Sequence, residues 1–117
     1  STIGPKKMSR SLEEIKQRFA NNEEVCRRVI GIFSLMSNKT RFRILCMLAE
    51  GDFCVNEIVD TIQMGKVSNI SQQLRILTLA GVLEKRREKQ HIIYRLSEPK
   101  LAMLIKYLET EFAEETV

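Results

Sequence analysis

A mainly α-helical domain with one small β-hairpin is predicted by three features of the sequence. Apolar residues recur at three- and four-residue steps through most of the chain, the spacing of helices with one buried stripe. Between Leu83 and Leu96 that period gives way to strand formers, Ile92, Ile93 and Tyr94, on a basic background. Glycines stand where helices should stop or turn, at 51, 65 and 81. The chain has 117 residues, enough for one domain with its own core.

The first helix opens at Ser11, where Glu14 at the third helical position completes a capping box. Leu12, Ile15, Phe19, Val25, Val29, Ile32 and Phe33 are its apolar positions; Asn21-Asn22 is a point of interruption and Gly31 weakens its far end. The next helix starts near Asn38 or Lys39 and runs to Glu50, with Gly51 as a left-handed stop. Phe42, Ile44, Leu45, Met47 and Leu48 fill it. Lys39, Arg41 and Arg43 crowd its first turns, where positive charge opposes the helix dipole and contact with phosphate would offset that cost. Three solvated bases would look the same. A short helix follows from Val55 to Ile62, with Cys54 at the N-cap and Glu57 three positions on.

After the turn at Gly65-Lys66 comes the segment around which the rest is organised, Val67 to Leu83. Val67, Ile70, Leu74 and Leu77 mark its buried stripe. Its other face carries Ser68, Asn69, Ser71, Gln72, Gln73 and Arg75, all hydrogen-bond donors and none negative. No acid occurs between Asp60 and Glu84, whereas a solvated helix ordinarily mixes both signs. Such a face suits a polyanion, with amides and hydroxyls free for base edges. Gly81 ends this helix. Arg86 to Gln90 is the expected tip of the hairpin, rich in Lys85, Arg86, Arg87, Lys89 and Arg95. Two helices, a turn and a basic hairpin make a winged helix-turn-helix.

The last helix opens at Glu98-Pro99-Lys100 and carries Leu101, Leu104, Ile105, Leu108 and Phe112. Residues 1–10 read as a flexible arm, and 11–117 as the DNA-binding domain with dimerisation helices at both ends. The acids gather in those end helices, at Glu13, Glu14, Glu23, Glu24, Glu109, Glu111, Glu114 and Glu115. Amphipathic and acidic, the end helices fit a symmetric dimer interface; the alternative is packing within one chain. The net charge is +4, a weak argument for nucleic acid beside this segregation. No apolar run is long enough to span a bilayer, and the three cysteines make neither an even set nor a CxxC. No membrane partner is therefore expected, and a reducing cytoplasm is the expected location. No catalytic constellation is recognisable: His91, the sole histidine, stands in the hairpin with no nucleophile beside it. A winged helix used for protein contact, its basic wing incidental, is the rival without DNA.

The segments SNKTRFRILCMLAEG (37–51) and VSNISQQLRILTLAGVLEKRREKQHIIYRLS (67–97), with the spacing between them, resemble the ArsR/SmtB family of bacterial winged-helix repressors. The turn at Gly65-Lys66 is a residue longer than usual, and the wing tip lacks the customary Gly. The resemblance implies a homodimer on a pseudo-palindromic double-stranded operator, released by a chemical signal, with no cofactor. It places Lys66, Ser68, Asn69, Ser71, Gln72 and Arg75 at DNA-facing positions, with Gln73 where relatives often have His. Phosphate contacts fall to Lys39, Arg41, Arg87 and Lys89, with Arg86 and His91 as further wing contacts. Base readout falls to Ser68, Asn69, Ser71 and Gln72.

The signal is less determined. Cys54 matches the first residue of a metal-sensing Cys-x-Cys, but Asn56 replaces the second, a poor set for a soft metal. No His stands on the last helix, so the zinc site of other members is not expected. The segment RILCML, with Cys46, is similar to that of the HlyU/SqrR/BigR-like persulfide and redox sensors. Their second Cys corresponds to Ala113 here, which leaves Cys26 as the substitute thiol. Either Cys46 senses a reactive species or it is a small buried hydrophobe. A metal(loid) sensor using Cys26 and Cys54 is the other alternative.

Overall fold

The computed structural model describes residues 10–113. The expected arm therefore lies outside the described residues except for Arg10, as do Glu114 and Glu115. The chain divides into two compact units, the first ending at Phe33 and the second beginning at Ser34.

The first unit is helical. Helix α1 spans Leu12–Asn21, and its capping box forms as expected: Glu14 N–H donates to Ser11 Oγ at 3.1 Å, and Ser11 N–H to Glu14 Oε1 at 2.9 Å. Asn22 breaks the helix, and α2 runs Glu23–Met36, across the division between the units. Gly31 sits inside α2 without ending it. None of the residues of α1 or α2 is buried. Leu12, Phe19, Val25, Val29, Ile30 and Phe33 all stand exposed among the described residues.

The second unit holds the core. Helix α3 (Lys39–Leu48) contributes Ile44, Leu45 and Leu48; α4 (Val55–Ile62) contributes Ile58 and Ile62. Helix α5 (Val67–Leu79) adds Ile70, Leu74 and Leu77. Strand β2 (Leu83–Glu88) adds Leu83, and α6 (Pro99–Glu111) adds Leu101 and Ile105. Each such side chain gains about 1.5–3 kcal/mol from leaving water. No polar or charged side chain is buried among the described residues.

Several local expectations need correction. Gly51 is not left-handed: α3 stops at Leu48, where the Ala49 N–H donates to the Leu45 carbonyl and the Glu50 N–H to the Met47 carbonyl. The chain leaves in extended form because Phe53–Cys54 form a strand, β1, that the hairpin's second strand β3 (His91–Leu96) pairs with. The wing is thus part of a three-stranded antiparallel sheet, in the order β1-β3-β2. Its tip is Lys89-Gln90, not Arg86 to Gln90, because Arg86, Arg87 and Glu88 pair with Ile93, Ile92 and His91. Lys89, at φ 58°, accepts the left-handed position that this short loop demands. Val67 is 54 % exposed and not in the core, although it falls on the apolar stripe of α5. Phe112, the C-cap of α6, is likewise exposed, with Leu104 and Leu108 half-buried. Gly81, at φ +86°, does follow the end of α5 as read from sequence.

Candidate nucleic-acid interface

Helix α5 sets the site. Ile70, Leu74 and Leu77 anchor one side in the core, which leaves Ser68, Ser71, Gln72 and Arg75 on the exposed side. Asn69 and Gln73 sit at the margin, half-buried. Lys66 is the N-cap residue; with no acceptor on its side chain it cannot cap, and its ammonium stands exposed before the helix. The Gly65 turn, at φ +78°, brings the chain from α4 into α5.

Period two sorts the wing. Leu83, Lys85 and Arg87 share one face with Tyr94 and Ile92, and Leu83 carries that face into the core. Lys85 lies opposite Tyr94 in register, and both border a cleft of about 600 Å³ against Ser68, Ser71, Gln72 and Arg75 of α5. No acid lines it, and its only charged lining residues, Arg75 and Lys85, are cationic. Burial raises the Tyr94 phenol above its ordinary range, so its O–H stays a donor at neutral pH. Sequence reading counted Lys85 only as wing charge and passed over Tyr94. The register of β2 on β3 is what singles both out.

The other face of the wing carries Glu84, Arg86, Glu88, His91, Ile93 and Arg95. Arg86 is committed there: Nε meets Glu88 Oε2 at 2.9 Å and Nη1 meets Asp52 Oδ2 at 3.1 Å. Arg95 pairs with Glu84 at 3.1 Å. These are exposed pairs, worth at most about 1 kcal/mol each, but they lower the local positive charge. Arg87 and Lys89 are exposed and enter no such pair among the described contacts. Lys39 is exposed at the start of α3. Arg41, by contrast, is half-buried and turned inward. Its Nε donates to the Leu35 carbonyl at 2.9 Å and its Nη1 to Gln73 Oε1 at 3.0 Å.

All three cysteines are free thiols. Cys26 is exposed on α2, and Cys54 is the half-buried N-cap of α4, where Glu57 Oε1 accepts from the Cys54 N–H at 2.9 Å. Cys46 faces a small cleft with Phe42, Arg43, Thr61, Ile62 and Glu109. Burial first, then a hydrogen bond to Glu109, push its thiol up to about 12; the Arg43 charge pulls the other way. It is therefore a protonated thiol, the form least suited to nucleophilic attack. Iodoacetamide at pH 8 should modify Cys46 in the folded chain at least about tenfold more slowly than in the unfolded chain, because burial and Glu109 hold the thiol protonated. Peptide mass spectrometry in and out of denaturant measures this, and equal rates would contradict the geometry. Because the unfolded thiol loses its proton first, stability from this site is present below pH 9 and declines as the pH rises toward about 12. Among the described residues, no group of three or more His, Cys, Asp or Glu could hold a metal ion, and no helix is long and apolar enough to cross a membrane.

Comparison with known proteins converges on one family. The profile described as bacterial regulatory protein, arsR family, matches residues 38–85. The biofilm growth-associated repressor of Xylella fastidiosa is 37 % identical over 90 residues, which is 77 % of this chain and 78 % of that one. The transcriptional activator HlyU of Vibrio cholerae is 28 % identical over 74 % of this chain and 80 % of its own length. Among solved structures, the repressor BigR from Xylella fastidiosa superposes with a TM-score of 0.71 at 33 % identity, over 90 % of this chain and 100 % of that one. A homodimeric winged helix-turn-helix domain, Mb0332 from Mycobacterium bovis, gives 0.67 at 25 % identity, over 78 % of this chain and 84 % of that one. An acid-free recognition helix, a basic hairpin packed beside it and these matches agree: the chain belongs to the ArsR family of bacterial transcription regulators, DNA-binding proteins of the winged helix-turn-helix fold.

Proposed function

We propose that the protein is a homodimeric repressor that lays α5 in the major groove of an operator half-site and its wing along the flanking backbone. The observation that carries this is the cleft between α5 and the wing, lined by no acid and by two cations, Arg75 and Lys85. Ser68, Asn69, Ser71 and Gln72 read bases, Gln72 by bridging adenine N6 and N7. Lys39, Lys66, Arg87 and Lys89 hold phosphates, joined by Lys85 and the Tyr94 hydroxyl. Arg86 and His91 lie on the wing's outer face and have a smaller part, Arg86 the least because carboxylates already hold it.

Two substitutions separate these roles. Gln72→Ala should lower affinity for the preferred sequence and leave random duplex unchanged, because only base readout is lost. Lys89→Ala should weaken both alike and reduce the salt slope by about one. Fluorescence anisotropy across a salt series on both duplexes gives the two numbers. Equal losses from both changes, or no binding to any duplex at low salt, would sink the assignment in favour of a protein-contact role.

A thiol trigger at Cys46 is the second reading. It is supported by the similarity to BigR and HlyU and by the cysteine held in the RILCML segment. Against it stand burial and the Glu109 hydrogen bond. Persulfide-treated protein that releases DNA with Cys46 unmodified by mass spectrometry would eliminate that reading.

A further inference from the structure

Three side chains join α3 to the DNA-facing side of α5 in one directed chain of hydrogen bonds. Asn38 caps α3 by accepting the Arg41 N–H at Oδ1, 3.0 Å, which fixes the backbone from which Arg41 departs. The Arg41 guanidinium then satisfies the Leu35 carbonyl in the last turn of α2, one of the acceptors a helix end leaves free. Its Nη1 donates to Gln73 Oε1 at 3.0 Å, and Gln73 Nε2 donates in turn to Asn69 Oδ1 at 3.2 Å.

The direction of this chain is not arbitrary. A guanidinium has five donors and no acceptor, so Gln73 can meet it only with its oxygen. That leaves Gln73 its NH2 to offer one helical turn back, and Asn69 must answer with oxygen. The Asn69 amide is thereby turned: Oδ1 is consumed inside, and Nδ2 lies over the turn beside Gly65, 3.5 Å from where a Cβ would stand. In water an asparagine shows either end with equal ease. Here one arginine two residues removed in the chain of bonds decides which end is shown.

We propose that Arg41 is a positioning residue for base recognition: through Gln73 it orients Asn69 so that the DNA groove meets an NH2 group and selects a keto base, G or T, over an amino base. This rests on the reading above that Asn69 faces the major groove. There G offers O6 and N7 and T offers O4 as acceptors, whereas C offers an N4–H donor and A an N6–H donor beside its N7. It also revises the role of Arg41, which holds no phosphate.

The test uses the full chain and a randomised duplex pool, enriched by binding and sequenced, with salt titrations on one random duplex. Four proteins are compared: wild type, Asn69→Ala, Arg41→Met and Gln73→Glu. Wild type should show, in each half-site, a keto preference that Asn69→Ala erases. Arg41→Met should relax that one position by roughly tenfold, within the range of a single base contact, with the salt slope unchanged. Gln73→Glu keeps a partner for Arg41 but has no N–H for Asn69, whose amide must turn over. The preference at that position should then move toward A or C. This variant retains the Arg41 bond to α5, so it tests the idea even if Arg41→Met folds poorly. A salt slope reduced by about one in Arg41→Met, with the preference intact, would overturn the proposal and return Arg41 to phosphate binding. An unmoved preference in Gln73→Glu would overturn it too. If Asn69→Ala changes no position at all, it is the placement of Asn69 in the groove that fails.

Discussion

Leu74→Ala should cost about 2–5 kcal/mol of folding stability, a large share of the roughly 5–15 kcal/mol that holds a domain of this size together. Leu74 is 0 % exposed and stands in the middle of α5, opposite the polar face that the function needs. Truncation removes the apolar contact and leaves a cavity that α3, α5 and β2 cannot all close, since each is tied down elsewhere by its own buried residues. The thermal midpoint should fall by roughly 10–20 °C at fixed protein concentration, following the per-kcal scaling for small domains. Val67→Ala provides the contrast. Periodicity puts Val67 on the same stripe, but it is 54 % exposed, and its loss should change stability by less than about 0.5 kcal/mol. Calorimetry on both variants decides the matter. Comparable drops would mean that the first turn of α5 is packed after all.

That pair also shows what the sequence can and cannot carry. Periodicity located α4 and the start of α5 because their stripes are framed by turn signals, Cys54 before one and Gly65 before the other; α5 itself stops at Leu79, two residues before Gly81. It misplaced Val67 because a stripe records which side of a helix is apolar, not how far the neighbouring layer extends. The wing tip was read as five residues because the basic run hides a strand. Lys89 takes a left-handed backbone with no Gly or Asn to announce it. Strand β1, two residues long, has no period at all; only its pairing of Phe53 with Tyr94 makes it visible. At the candidate interface, charge and hydrogen-bonding type single out one helix and one hairpin, and residues of both line one cleft. They did not tell free groups from occupied ones. Arg41, Gln73 and Arg86 look available in the sequence, and each is engaged by a partner at least 32 residues away or on an adjoining turn. Lys85 and Tyr94 went unranked for the opposite reason, since their meeting depends on register.

Val29→Glu should convert the protein from dimer to monomer and lower operator affinity by roughly a hundredfold to ten-thousandfold, the factor by which linking two half-site contacts exceeds one. The reasoning begins with the first unit. Val25, Val29 and Phe33 recur at four-residue steps along α2, all exposed, and nothing in α1 or α2 is buried. Ordering such a helix costs backbone entropy that an uncovered stripe does not repay. In the proposed homodimer a second copy of the chain would supply a covering surface, and two-fold symmetry would set two α5 helices on one side of the duplex, about one helical turn apart. A glutamate at position 29 would have to lose its hydration without a partner, which is the costliest change the interface could suffer. The core of the second unit should be untouched, because Val29 lies outside it. Near-wild-type circular dichroism with a halved mass by light scattering is therefore the expected combination. Random-duplex binding at low salt should fall far less than operator binding, since phosphate contacts survive in each monomer. A variant that stays dimeric and keeps its operator affinity would place the interface elsewhere, with α6 and its exposed Met103, Tyr107 and Phe112 as the surface left to carry it.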